Sequence, residues 1–230
     1  MSFEKEHFQP CLFVHIPRTG GTAAKHASPF INFSYANYIG EHYTYLGYKE
    51  YLESNNSKLS NYSTFSIIRN PLERLVSLWS SGNWGFIKDA EILRNIIGRP
   101  DGYSVPFKDY VMNLQLIEDN YEPRSIDSDQ YLNSLNSFDL LKNEDEKISI
   151  DFLLYNKTLH EDIITLLNKF KNTGYNYTTK DVTMPERGSH NANATTPSDK
   201  SYLDFYDEES LSVAMKYYEK DFDYFDTSRW

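Results

Sequence analysis

Residues 11–27 read Cys11-Leu12-Phe13-Val14-His15-Ile16-Pro17-Arg18-Thr19-Gly20-Gly21-Thr22-Ala23-Ala24-Lys25-His26-Ala27. The first six form a short apolar run containing β-branched residues, the composition of a buried strand. Pro17 stops it. Gly20 and Gly21 have no Cβ, so the chain can take positive φ there and let a ligand come close to the main chain. Thr22 is placed to cap a helix over Ala23, Ala24, Lys25, His26 and Ala27, which Pro29 ends. Strand, glycine turn and helix start together suit an anion, because unpaired N–H groups and the positive end of the helix dipole meet at one spot. Arg18 and Thr19 add a cation and a hydroxyl. The same residues also suit an ordinary strand-to-helix turn of an α/β protein. The GxxxxGK[ST] phosphate loop of NTPases does not fit: no glycine precedes Gly20 with four residues between, and no lysine follows the pair.

The 230 residues are enough for one well-buried domain, and no break in composition divides residues 1–230 into two. With 40% hydrophobic and 16% aromatic residues the chain belongs among folded globular proteins. A formal charge of −10 opposes general binding to nucleic acid, so a bound anion must be held locally; it also disfavours a highly charged polyanionic acceptor. No stretch reads as a membrane span, and MSFEKEHFQP lacks the pattern of a secretion signal, which leads to the expectation of a cytoplasmic protein. The single cysteine, Cys11, excludes an internal disulfide framework and reads as a buried, inert thiol in a reducing compartment.

A second decisive stretch begins at Thr64-Phe65-Ser66-Ile67-Ile68-Arg69, a strand by composition, followed by Asn70-Pro71. Proline favours the first helical position. Leu72, Leu75, Val76 and Trp79 then recur at helical spacing as one apolar stripe. Arg69 at the strand end and Ser77 in the helix can therefore bracket one ligand, although each also suits a local role in its own loop or helix.

Elsewhere, Phe33 to Tyr51 is rich in tyrosine and has no clean period; a helix is expected at Tyr48 to Glu53. Tyr103 to Asp119 reads as one helix with Val111, Leu114 and Ile117 on a face. Asn120 to Asn143 reads as loop with short helical or strand pieces. Ile150 to Tyr155 reads as a strand, and Thr158-Leu159-His160-Glu161 as a capping box for a helix carrying Ile163, Ile164, Leu167 and Phe170. Residues 173–201 read as a loop containing Arg187, His190 and Lys200. A last helix starts near Asp207. Strand and helix alternate, which favours a central, mostly parallel sheet flanked by helices in a single α/β domain.

With both stretches in view, the sequence resembles the sulfotransferases that use 3′-phosphoadenosine 5′-phosphosulfate (PAPS). More narrowly it resembles the branch of Golgi carbohydrate sulfotransferases and their bacterial relatives. HIPRTGGTA is similar to the family's HIPKTGGTS loop for the 5′-phosphosulfate. RNPLERLVS, residues 69–77, is similar to its RNPxxRLVS segment, whose Arg and Ser bind the 3′-phosphate. Asp151 to Ile163 and YYEKDFDYF, residues 217–225, resemble later parts of the family; residues 82–150 and the loop before Lys200 match poorly. Arg18 stands where the family usually has Lys, and Tyr155 and Lys157 where it tends to have Arg and Glu.

The resemblance implies a P-loop-like nucleotide-binding fold and transfer of a sulfuryl group to a hydroxyl of a saccharide or small molecule, with PAP as the product and no metal. It assigns the nucleotide to Arg18, Thr19, Gly20, Gly21, Thr22, Ala23, Arg69 and Ser77. Such a transfer works mostly by positioning and electrostatics and needs a base for the acceptor hydroxyl. Of the six histidines, His42 lies between the two motifs, like the catalytic histidine of uronyl 2-O-sulfotransferases, and is the first choice. Glu41 is the alternative base or its orienting partner. Arg18 would neutralise charge on the leaving phosphate oxygen, with Lys25 a weaker candidate for that duty. The competing readings are a nucleotide kinase or NTPase of related fold, which the missing GK[ST] opposes, and a non-catalytic nucleotide-binding module.

Overall fold

The computed structural model describes residues 11–27, 44–82, 88–99, 104–120, 134–171 and 200–230. Strands β1 (Cys11–Phe13), β2 (Ser63–Ile68) and β3 (Phe152–Tyr155) form a parallel sheet in the order β1-β2-β3. Phe13 pairs with Phe65, and Phe65 with Phe152, in register. The rings of Phe13 and Phe65 stack 4.7 Å apart. Beyond the last assigned residue of β1, the N–H of Val14 still donates to the Phe65 carbonyl (2.9 Å) and the Ser66 hydroxyl donates to the Val14 carbonyl (2.7 Å).

Side chains alternate between the two faces, and both faces are covered, as a parallel sheet requires. On one face, Cys11, Phe13, Phe65, Ile67 and Leu154 meet helix α1 (Gly21–Ala27) and helix α8 (Leu159–Lys171) through Ala24, Leu159, Ile163, Leu166 and Leu167. On the other, Leu12, Val14, Ile16, Ile68 and Tyr155 meet α2 (Tyr45–Ser54), through Tyr48 and Leu52, and α7 (Ser137–Leu141), through Phe138, Leu140 and Leu141. Each such fully buried aliphatic side chain contributes about 1.5–3 kcal/mol.

Helix α3 (Pro71–Gly82) has Pro71 at its first position and Asn70 as its cap, the Asn70 Oδ1 accepting from the N–H groups of Leu72 (2.9 Å) and Glu73 (3.2 Å). Its apolar stripe packs against α4 (Lys88–Ile96), α5 (Phe107–Met112), α6 (Leu114–Asp119) and α9 (Glu208–Tyr217).

Several expected elements differ in detail. The single helix over residues 103–119 is two, broken at Asn113, whose φ of −112° and ψ of 15° leave the helical region. The apolar period of Val111, Leu114 and Ile117 survives because all three are buried across the break. The last helix breaks likewise at Tyr218 and resumes as α10 (Glu219–Tyr224). The expected capping box of Thr158 with Glu161 is replaced: the Thr158 hydroxyl donates to Asp162 Oδ2 (3.1 Å), which also takes the N–H of Tyr155 (2.7 Å). Helix α1 starts at Gly21 rather than after Thr22, with the Ala24 N–H bonded to the Gly20 carbonyl (3.0 Å). No helix among the described residues is long and apolar enough to cross a membrane.

Candidate active site

The three strands run parallel, so their carboxyl ends share one edge of the sheet, where ligands of such folds bind. The segments that leave β1, β2 and β3 meet there around the loop of residues 16–20. Every carbonyl of that loop is bound. The Ile16 carbonyl accepts from the Thr19 hydroxyl (2.8 Å), that of Pro17 from Arg74 Nε (3.1 Å), and that of Arg18 from Arg69 Nη1 (2.9 Å). The Thr19 carbonyl accepts from Asn156 Nδ2 (2.7 Å) and that of Gly20 from the Ala24 N–H (3.0 Å).

In a trans peptide the N–H points opposite to the C=O. Holding these carbonyls against the protein therefore turns the N–H groups of Arg18, Gly20 and Gly21 the other way. The chain turns at residues 17–18, which brings the Thr19 N–H toward the Ile16 carbonyl, and no backbone acceptor among the described residues takes the N–H of Arg18, Gly20, Gly21, Thr22 or Ala23. Arg18 (φ 66°) and Gly20 (φ 104°) both lie in the left-handed region, and such turns build a concave row of donors suited to an anion. At a non-glycine residue like Arg18 that conformation is uncommon and costs about 1 kcal/mol or more.

The glycines have tasks inside the protein. A Cβ on Gly20 would stand 2.5 Å from Asn156 Nδ2, and one on Gly21 would stand 2.1 Å from Nε2 of the buried His15. The missing side chains let the loop close on the Asn156 amide and the His15 ring, which itself stacks on Phe13.

Two cations converge here. Arg18 Nε donates to Ser77 Oγ (3.0 Å), and none of the described carboxylates pairs with Arg18. Burial, and after it the charge of Arg69, pulls the Arg18 guanidinium below its ordinary pKa. Arg69 is partly balanced by Glu73 (Nη2 to Oε1, 2.7 Å), while its buried Nε has no hydrogen-bond partner among the described residues. The cluster is short of negative charge and holds donors to spare.

Arg74 stands inside the second motif, where nothing in the sequence marks its role. It is fully buried, its Nη1 bonds the Leu135 carbonyl (2.9 Å), and its charge acts on Asp221. Asp221 is 1% exposed and takes the N–H groups of Ser137 (2.9 Å) and Phe138 (2.8 Å) at the start of α7. Burial pushes its carboxyl above the ordinary range, opposed by those two N–H groups and by Arg74. Tyr218 donates to the Ser134 carbonyl nearby (2.7 Å). The residues YYEKDFDYF thus act as a brace for the loop.

Of the residues expected at the site, Arg18, Thr19, Gly20, Gly21, Arg69 and Ser77 come together. Thr22 is exposed and Ala23 half-buried in the first turn of α1. His42 and Glu41 lie outside the described residues, as do Arg187 and His190; Lys200 is exposed. Asn156 escaped the sequence reading, its only mark being its place immediately after the third strand.

The Sulfotransferase family model matches residues 9–227, almost the whole chain. The chain belongs to the sulfotransferase family. No curated protein and no solved structure matches it. As a sulfotransferase it is a transferase of sulfuryl groups, and the loop between β1 and α1 and the β2–α3 junction are the two motifs in which it resembles the family.

Proposed function

We propose that this sulfotransferase takes its sulfuryl group from PAPS and delivers it to a hydroxyl of a saccharide or small molecule. The observation that carries the reading is the set of N–H groups of Arg18, Gly20, Gly21, Thr22 and Ala23, which no backbone acceptor among the described residues takes, beside a pair of arginines that is short of negative charge. A 5′-phosphosulfate suits that row and the Arg18 guanidinium. A 3′-phosphate suits Arg69, with its partnerless Nε, and Ser77. The residues fit the nucleotide in charge and in donor count, and the chemistry it supplies when bound is an activated sulfuryl group on a phosphate.

The rest is the work of the chain. The loop N–H groups orient the anion and spread its charge without reorganising, because the carbonyls behind them are already fixed. Arg18, its Nε engaged by Ser77, keeps its two Nη groups for the electron pair left on the phosphate oxygen when the bond to sulfur breaks. Its planar fork offers two parallel donors where the usual lysine offers a point charge. His42 takes the proton of the acceptor hydroxyl as that oxygen bonds to sulfur, with Glu41 as the alternative base or its orienting partner.

Calorimetric titration of the chain with PAP and with ATP, each with and without magnesium, tests the donor. PAP binding without magnesium, and roughly tenfold or more tighter than ATP, is the expected result, since only PAP offers a 3′-phosphate to two charge-assisted donors. ATP binding that needs magnesium would overturn it. His42→Ala is expected to keep PAP affinity and to lose transfer in a mass-based sulfonation assay over an acceptor panel; retained turnover removes His42 as the base.

A further inference from the structure

We infer that Asn156 is a positioning residue for the donor site: its amide fixes the Thr19–Gly20 peptide so that the Gly20 N–H, and not the Thr19 carbonyl, faces the bound phosphosulfate. The inference rests on the nucleotide reading above and adds to it a residue from the third strand, outside both motifs. Asn156 Nδ2 donates to the Thr19 carbonyl at 2.7 Å. The same Nδ2 stands 2.5 Å from where a Gly20 Cβ would be, so amide and glycine are matched parts of one contact.

The need for such a fixture follows from the glycine. A peptide flips by opposite rotations about ψ of one residue and φ of the next, and glycine accepts either sign of φ. Of the loop peptides whose carbonyl is held by a side chain, Thr19–Gly20 is therefore the one most able to turn over. Turned over, it would present a carbonyl dipole to an anion in place of a donor. The carbonyls of Ile16, Pro17 and Arg18 have other partners, so Asn156 governs this peptide and leaves the remaining loop anchored.

Asn156 is itself held firmly from behind. Asp162 Oδ2 takes the N–H of Tyr155 (2.7 Å) and the hydroxyl of Thr158 (3.1 Å). Arg229 pairs with Asp162, donates to Thr158 (3.0 Å) and lies 4.1 Å from the centre of the Tyr155 ring. The turn that carries Asn156 is clamped on both sides.

The test measures the thermal midpoint of the free chain and the rise in that midpoint with added PAP, for wild type, Asn156→Ala and the isosteric Asn156→Asp. Loss of one hydrogen bond lowers the free midpoint of Asn156→Ala by about 2–4 °C. Its PAP affinity, read from the ligand-induced rise, falls about tenfold or more. In Asn156→Asp the peptide turns over to donate the Gly20 N–H to the new carboxylate, so the free midpoint stays near wild type while PAP affinity falls further than in the alanine variant. The carboxylate of Asn156→Asp also repels an anion by its charge, so a fall in the PAP affinity of the folded Asn156→Ala chain is the result that a purely structural role cannot give.

PAP affinities of both variants within about twofold of wild type overturn the inference. So does a large drop in the free midpoint with undiminished affinity of the folded protein. Should Asn156→Ala fail to fold, the uncharged Asn156→Ser decides on the same terms. Failure of the wild-type chain to bind PAP removes the nucleotide reading and the inference with it, whereas tight wild-type binding with unchanged variants removes the inference alone.

Discussion

Arg74 donates its Nε to the carbonyl of Pro17 at 3.1 Å, so a helix in the second motif holds the backbone of the first. The bond spans 57 residues of sequence and leaves neither motif independent of the other. Because Arg74 has no exposed surface, its charge is balanced inside the protein, and the balance involves Asp221.

Arg74→Met is expected to destabilise the fold by about 3–5 kcal/mol, because it strands the buried Asp221 and takes donors from the carbonyls of Pro17 and Leu135. The thermal midpoint should fall by about 10 °C. Arg74→Lys should recover only part of this, since one ammonium replaces donors that reach two separate carbonyls.

Gly20→Ala and Gly21→Ala should each cost about 2 kcal/mol or more in urea unfolding, the first from a φ of 104° and the Asn156 contact, the second from collision with the His15 ring. Thr22→Ala, one residue on and exposed, should change stability by less than about 0.5 kcal/mol.

Arg69→Lys should behave much like Arg69→Ala in PAP titrations, each losing about tenfold to a hundredfold in affinity. A lysine cannot hold the Arg18 carbonyl and Glu73 in the fixed geometry of the fork and still offer a donor to a phosphate. Equal affinity of the lysine variant and wild type would show that charge alone suffices at this position.

Burial, followed by the charge of Asp151, pushes the Cys11 thiol up to about 12. A raised pKa keeps the thiol protonated, so labelling of the native chain by a disulfide reagent should stay negligible from pH 7 to pH 9, about the range in which a free thiol near 8.5 accelerates. Addition of urea should release one equivalent of reactive thiol.

The parts of this fold legible in sequence were those with local causes. A short apolar run, a glycine pair, and an Asn-Pro step before a helical stripe each declare themselves within a few residues, and β1, β2 and α3 lie where those signals put them. The break at Asn113 was hidden because the apolar period continues across it. The reason for the glycine pair was hidden as well, since His15 and Asn156 fill the missing Cβ positions through tertiary contact. Arg74 carries a charge, and a charge inside an apolar helix stripe reads as solvated until its partners in distant segments are known. A short turn over residues 156–158 precedes α8, and Thr158 there donates to Asp162 and makes no capping box with Glu161, a local geometry that spacing alone does not encode.

The clamp of Arg229 on Tyr155 and Asp162 and the pairing of Asp221 with the start of α7 bear on the order in which a nascent chain matures. The glycine loop leaves the ribosome early, yet Asp221 and Arg229, which brace Arg74 and the turn of Asn156, emerge far later. Until those residues are made, the strands can collapse against their helices while the loop between β1 and α1 lacks its braces, so the anion cradle is finished long after the segment that forms it.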